Sequence, residues 1–263
     1  MLLLLPPLAA EPIFNIGSFT VTNAIINTWV ALIFFVVVAF LIKRRVQMVP
    51  EGLQNVAEAI LEFLLGFFDQ VTHSRAKSEK FLPLVGTLFL FILVSNWMGI
   101  LPGIGSIGQW QMHHGSVELI PLFRPANSDL NMTLAMAILA VVASHVFGII
   151  AIGFFKHTGK FIQLGGVFKS LKKGPMAIMT AIIQFFVGLL EIISEIAKMV
   201  SLSLRLFGNI FAGEVLLTVM AGLIAVLVPT PFMLLELIVG LIQATVFAML
   251  TLVYLEVATS EPH

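Results

Sequence analysis

Long apolar runs set the first limit on this chain. The segment from about Asn23 to Ile42 holds no charged residue and stops at Lys43-Arg44-Arg45, and further runs cover about 81–101, 129–155, 176–228 and 231–258. A straight helix needs about 20 such residues to cross a bilayer. Of all residues 59% are hydrophobic and only 11% charged, with mean hydropathy +1.06, whereas soluble globular chains carry about 25% charged residues. The alternating segments of a membrane β-barrel, roughly ten residues each, are absent. The expected class is an all-α polytopic membrane protein with two or three steep transmembrane helices, one amphipathic surface helix and a long, strongly tilted C-terminal helical hairpin.

The segments divide the chain as follows. Residues 1–22 form an N-terminal tail, whose opening "MLLLLPPLAAEP" is either a weak signal remnant or an interfacial stretch. The first transmembrane helix spans 23–45. Residues 51–74 alternate Glu51, Glu58, Glu62 and Asp69 with apolar clusters at helical spacing, the pattern of a helix lying in the interface plane. A transmembrane hairpin occupies 80–157, with a Gly- and Pro-containing loop at 102–128 and an N-cap at Ser128 or Asp129. A basic loop at 158–174 leads to the hairpin of 175–263. Its first arm of about 53 residues would extend roughly 80 Å as a straight helix, so it must tilt, bend or break.

Charge placement gives direction. With the N-terminus outside, the inward segments hold eleven basic residues (Lys43, Arg44, Arg45, Arg75, Lys77, Lys80, Lys156, Lys160, Lys169, Lys172, Lys173) and the outward loops one, Arg124. That is the positive-inside bias. Net charge is zero and cysteine is absent. The first removes the electrostatic case for nucleic acid, the second any disulfide, thiolate metal site or iron–sulfur cluster. His113-His114 is a poor ligand spacing for a metal. No phosphate loop or other nucleotide motif occurs, and no cofactor is expected.

Two basic residues remain, Lys198 and Arg205, both inside the long hairpin. Along its first arm Glu191, Glu195, Lys198, Arg205 and Asn209 follow at spacings of 4, 3, 7 and 4 residues, which keeps them on one helical face. Glu214 comes nine residues after Arg205, about 180° around the helix at about 100° per residue. On the second arm Glu236, Gln243 and Leu250 share a heptad face, with Gly240 between them. Charges at membrane depth cost about 2.5–3.5 kcal/mol each on insertion scales and mark ion pathways or partners. Glu191, Glu195 and Lys198 could equally form a static ion-pair network. Arg205 has no obvious carboxylate beside it. Glu214 and Glu236 read as proton relays or as neutral buried acids.

"LSLRLFGNIFAGE" (202–214, inclusive of Arg205 and Asn209) and "LIQATVFAMLTLVYLE" (241–256), supported by "VSNWMGILPG" and "PANSDLNMTLAMA", resemble subunit a of F-type ATP synthases. The resemblance orders the chain from about residue 20 to its end. It implies the proton-channel stator of the membrane sector, with two offset half-channels beside a rotating c-ring. It further implies peripheral-stalk b subunits, a catalytic F1 head and a bilayer, and a bacterial inner membrane, as partners and setting. Arg205 would then face the ring carboxyls, with Asn209 one turn on. Glu214 matches the acidic position of the outer half-channel, and Gln243 a glutamine packing near the arginine. Glu236 matches a position that is histidine in some members and acidic in others. Asn96, Asp129 and Asn131 match outward polar positions, and Glu191 and Lys198 inner ones. Glu195, Ser201 and Glu256 complete the candidate channel lining. Gly99 stands where some members carry an acid. The alternatives are a secondary transporter binding an anionic substrate at Arg205, which predicts internal repeats that are not evident, and a structural scaffold, which leaves Arg205 unexplained.

Overall fold

A computed structural model describes residues 6–44, 46–101, 107–113, 116–161, 175–223 and 228–260. Seven α-helices account for most of them: α1 (Asn23–Arg44), α2 (Leu53–Thr72), α3 (Arg75–Ile100), α4 (Leu130–Ile152), α5 (Phe154–Phe161), α6 (Pro175–Leu223) and α7 (Pro229–Thr259). Helices α1, α3, α4 and α7 are each long and apolar enough to cross a membrane. In lipid no water satisfies backbone groups, so a spanning segment must bond within itself, as a helix does. The outer face of α1 leaves Leu32, Ile33, Phe34, Val36 and Val37 uncovered, an arrangement that suits hydrocarbon and not water. The fold is the all-α membrane class expected from the sequence.

The core lies where α3, α4, α6 and α7 meet. Phe81, Val85 and Ile92 of α3, Ala137 and Ala140 of α4, Leu202 and Leu206 of α6, and Ala244, Leu252 and Leu255 of α7 are all buried there. The most extensive packing is α3 on α7, followed by α4 on α6 and on α7. Alanines at 137, 140, 244 and 248 let the helix axes approach closely, the usual device where lipid removes any hydrophobic drive between helices. Helix α6 is 49 residues long, about 74 Å if straight, against a hydrocarbon core of about 30 Å.

Helix α2 buries Leu64, Leu65 and Phe68 against its neighbours and turns Glu58 and Glu62 outward. It joins α3 through His73, held in the left-handed region at φ 51°. The Thr72 hydroxyl closes this corner by meeting the Ser78 hydroxyl at 2.8 Å, and Arg75 pairs with Glu62 at 2.8 Å, Asp69 at 3.1 Å and Glu79 at 3.3 Å. Such exposed pairs are individually weak; together they fix one geometry for the bend.

Three segments differ from the sequence expectation. The tail contains an antiparallel hairpin, β1 (Pro12–Ile16) with β2 (Phe19–Thr22), and the loop after α3 a second, β3 (Gly108–His113) with β4 (Ser116–Pro121). Strands of four to six residues are too short for alternation to stand out beside runs of helical apolar pattern. The buried Asn23 ties both hairpins to α1, accepting from the Glu11 and Ala24 amides and donating to the Pro121 carbonyl at 3.4 Å. The third difference is α5, which occupies part of the expected basic loop: Gly153 at φ 88° ends α4 and allows the chain to restart as a helix. Residues 162–174, with Lys169, Lys172 and Lys173, lie outside the described residues, as do Arg45 and His114.

A 3₁₀ turn, Ala126–Ser128, leads into α4, whose N-cap is Asp129; its carboxylate accepts from the Asn131 amide at 2.9 Å. Pro125, just before the turn, rests on Gly99 so closely that a Cβ there would overlap the proline ring. A side chain of any kind at position 99 would push the turn off α3. Gly66 on α2, by contrast, has nothing within 4 Å of a Cβ. Gly99→Ala should therefore destabilise the assembled membrane sector by about 1–3 kcal/mol, the range for overpacking. Thermal melting in detergent should show a clear drop for Gly99→Ala and none for Gly66→Ala.

Candidate functional site

The polar groups of α6 sort by face. Leu202, Ser203, Leu206, Phe207 and Ile210 are buried against the bundle, whereas Ser201, Leu204, Arg205 and Asn209 are exposed. The division follows from residues three and four apart sharing a face. Ser203 is held from α4, its hydroxyl 3.0 Å from that of Thr133, both buried. Arg205 stands on the face turned away from the chain's own core. Among the described residues it has neither an ion-pair partner nor a hydrogen-bonding one.

Glu214 emerges on the other side, as its angular offset from Arg205 requires. Its carboxylate lies 2.9 Å from Nε of Arg124, a residue only 2% exposed. The remaining arms of that guanidinium donate to the backbone carbonyls of Ala9 at 3.0 Å and Pro7 at 2.8 Å. Its fixed fork thus joins the N-terminal tail, the loop before α4 and α6. Glu236 of α7 is also buried, and its carboxyl group sits over the backbone of Gly213, where a Cβ would overlap it. The two acids therefore flank one bare stretch of α6, one paired with arginine and the other packed on glycine.

Beside them is an amide network. Asn96 of α3 donates to the Gly240 carbonyl at 3.3 Å and accepts from Asn127 at 2.6 Å, while the Trp97 indole donates to the Leu237 carbonyl at 3.1 Å. Asn96 and Asn127 are buried, as are Arg124 and Ser128. Here the 3₁₀ turn brings the loop's polar residues against the ends of α3, α6 and α7.

A second polar group lies toward the far end of α6. Lys198 Nζ pairs with Glu195 Oε1 at 2.6 Å and stands 5.2 Å from the ring centre of Tyr254. The other carboxylate oxygen of Glu195 is 3.5 Å from His145 Nε2, and His145 Nδ1 is 3.2 Å from His157 Nε2. Glu191 is half-buried one turn earlier. Glu256 pairs with Lys77 at the start of α3.

The structure therefore packs Glu236 over Gly213, the residue before Glu214, joins Asn96 to Gly240 of α7, and pairs Glu195 with Lys198. It sets Arg205, Asn209 and Ser201 on a separate, outward face. Gln243 is buried on α7, and no hydrogen bond joins it to Arg205. Asp129 caps α4, with Asn131 supplying the amide. Sequence reasoning missed Arg124, Asn127, His145 and His157 as site neighbours. For Arg124 a signal existed: a lone cation in the outward loops and Glu214, a lone acid without a partner on its own helix.

Helices of this length and apolarity, with charged side chains at their contacts, define an integral membrane protein built around intramembrane ionisable groups. Residues 25–256 match the family model described as ATP synthase A chain, and the chain belongs to that family, a membrane-sector subunit of the F-type ATP synthase. It is 33% identical over 92% of its length to ATP synthase subunit a of Moorella thermoacetica, of which 93% is covered. It is 36% identical over 85% of its length to ATP synthase subunit a of Campylobacter jejuni subsp. doylei, with 84% of that chain covered. ATP synthase subunit a 2 of a Bradyrhizobium species is 30% identical, with 96% and 95% covered. ATP synthesis and ion transport across a membrane are the activities of the complex.

Substitutions at two contacts test the geometry. Breaking a buried ion pair from one side strands the other charge, at a cost of about 3–5 kcal/mol. Arg124→Gln or Glu214→Gln should each lower the melting temperature of the purified complex, and the double variant should lose less than their sum. Gly213→Ala should displace the Glu236 carboxyl and reduce ATP-driven proton pumping by about tenfold, on the scale of about 1.4 kcal/mol per tenfold change. Adding Glu236→Asp, which withdraws the carboxyl, should recover part of that loss.

Proposed function

We propose that this chain is the proton-translocating stator of the membrane sector, with Arg205 facing the ring carboxyls between two offset half-channels. The observation that carries this reading is the exposure of Arg205 and Asn209 on the face of α6 turned away from the core, without an ion-pair or hydrogen-bond partner among the described residues. A permanent charge on such a face needs a counter-charge from another chain. A ring whose subunits carry membrane-embedded carboxyls turns through lipid only with those carboxyls protonated, because an ionised one meets a desolvation penalty of several kcal/mol. Beside Arg205 the carboxylate form is favoured and the proton leaves. A lysine could lose its own proton in such a place; arginine, with a pKa above about 12, does not.

On the outer side the proton path runs past Glu214 and Glu236, beside Asn96 and Asn127, with Asp129 and Asn131 near the mouth. On the inner side it passes Glu191, Glu195 and Lys198, with Ser201 along α6 and Glu256 near the inner end. Gln243 supports the arginine from α7, and Asn209 contributes one turn beyond it. The length of α6 supports a strongly tilted hairpin that follows the ring's curved flank. The basic bias supports an outside N-terminus and an inside C-terminus in a bacterial inner membrane. The partners are the c-ring, peripheral-stalk b subunits and, through the complex, the catalytic head. The driving force is the membrane potential, worth about 2.3 kcal/mol per charge per 100 mV.

Arg205→Ala in the assembled complex, reconstituted into liposomes, should abolish proton-driven ATP synthesis and raise the passive proton leak. Coupled synthesis at the normal rate would overturn the assignment.

A further inference from the structure

The path proposed above uses Glu195 and leaves the two histidines beside it unused. His145 on α4, His157 on α5 and Glu195 on α6 form a continuous series: His157 Nε2 to His145 Nδ1 at 3.2 Å, then His145 Nε2 to Glu195 Oε2 at 3.5 Å. Both imidazoles and the carboxylate line a cleft of about 360 Å³, together with Thr158 and Met199. The His145 side chain is 28% exposed, so the series reaches the open surface of the chain, while His157 is buried. The His157 ring packs on Gly148, where a Cβ would stand 2.6 Å from Cε1 and 2.8 Å from the Ala258 carbonyl oxygen. A bare backbone position is thus what lets α5 bring this ring against α4 and α7.

We propose that His145, positioned by the buried His157, carries protons between Glu195 and the inner aqueous phase at the inner mouth of the path; this rests on the stator reading above. Glu195 lies ten residues before Arg205 on α6, about 15 Å along the axis. A proton released from a ring carboxyl reaches the Glu195 carboxylate, whose Oε1 is held by Lys198 at 2.6 Å and whose Oε2 faces His145. His145 takes that proton on Nε2 and becomes an imidazolium, its Nδ1 held 3.2 Å from His157 Nε2. His145, whose side chain is 28% exposed, then releases that proton to water in the cleft and returns to the neutral ring. One proton moves from carboxyl to water, and nothing else changes. Imidazole suits the step because its charge changes between about pH 5 and 8. Among the groups facing His145 are His157 from α5 and Glu195 from α6, with Lys198 on the far side of Glu195 and Tyr254 of α7 beyond Lys198.

The test uses the complete complex in liposomes, with passive proton conduction measured after the catalytic head is removed. Positioned proton carriers contribute about 10²–10⁴-fold in other settings; with water able to substitute in part, His145→Ala should lower conduction by about tenfold. Imidazole added on the inner side should restore it. His145→Gln, which keeps a polar side chain but cannot take up a proton near neutral pH, covers the case in which the alanine variant does not assemble. It should flatten the dependence of conduction on inner pH, and a merely structural residue would not produce either the rescue or the flattening. Unchanged conduction and pH profile in His145→Gln, or a loss that imidazole leaves uncorrected, would overturn the proposal. Arg205→Ala, measured alongside, separates the two readings. If it uncouples the complex while the histidine variants behave as wild type, only the inner relay fails; if it leaves coupling intact, the stator reading fails.

Discussion

A polar group inside a bilayer must find its partner in protein, and the meeting point of α3, α6 and α7 is organised by that requirement. Arg124 could not remain at 2% exposure without acceptors for its fork, and it obtains them from Glu214 and from two backbone carbonyls of the tail. Those three attachments fix where the tail, the loop and α6 stand relative to one another. Asn96 and Asn127 do the same for α3, the 3₁₀ turn and α7. Apolar packing alone would leave these helices free to slide, since lipid and leucine are nearly equivalent neighbours.

The pitch of α6 then separates two kinds of charge. Nine residues between Arg205 and Glu214 place them on opposite sides, so that one carboxylate is satisfied within the chain and the guanidinium is not. The difference is functional in the proposed reading, because a counter-charge within the chain would compete with the ring for Arg205. Glu195 and Lys198, earlier on α6, already neutralise each other, and in the proposed reading Arg205 is the cation presented outward.

The spanning helices were legible because apolar runs of the right length admit almost no other structure. Helix α2 was legible from its charge spacing, and the N-cap of α4 to within one residue, Ser128 or Asp129. The opposition of Arg205 and Glu214 followed from arithmetic on the helical repeat. What stayed hidden depended on partners far away in the chain. Arg124 and Glu214 are 90 residues apart, and nothing local marks either as the other's mate. His145 looked like an isolated histidine in an apolar run until α5 brought His157 beside it. That helix itself was obscured by its basic composition, and the two hairpins by strands too short to show a period.

Three glycines, 99, 148 and 213, each lie directly under a group from elsewhere: the Pro125 ring, the His157 ring and the Glu236 carboxyl. Their bareness has a consequence for how such a chain can change over generations. None of these positions can gain even a methyl group unless the group above it shifts, so a replacement there is felt by a residue elsewhere in the chain. At 213 a methyl group would displace the carboxyl at 236, and a shorter acid at 236 would relieve that displacement. Two positions on different helices are thereby bound into a single hereditary unit.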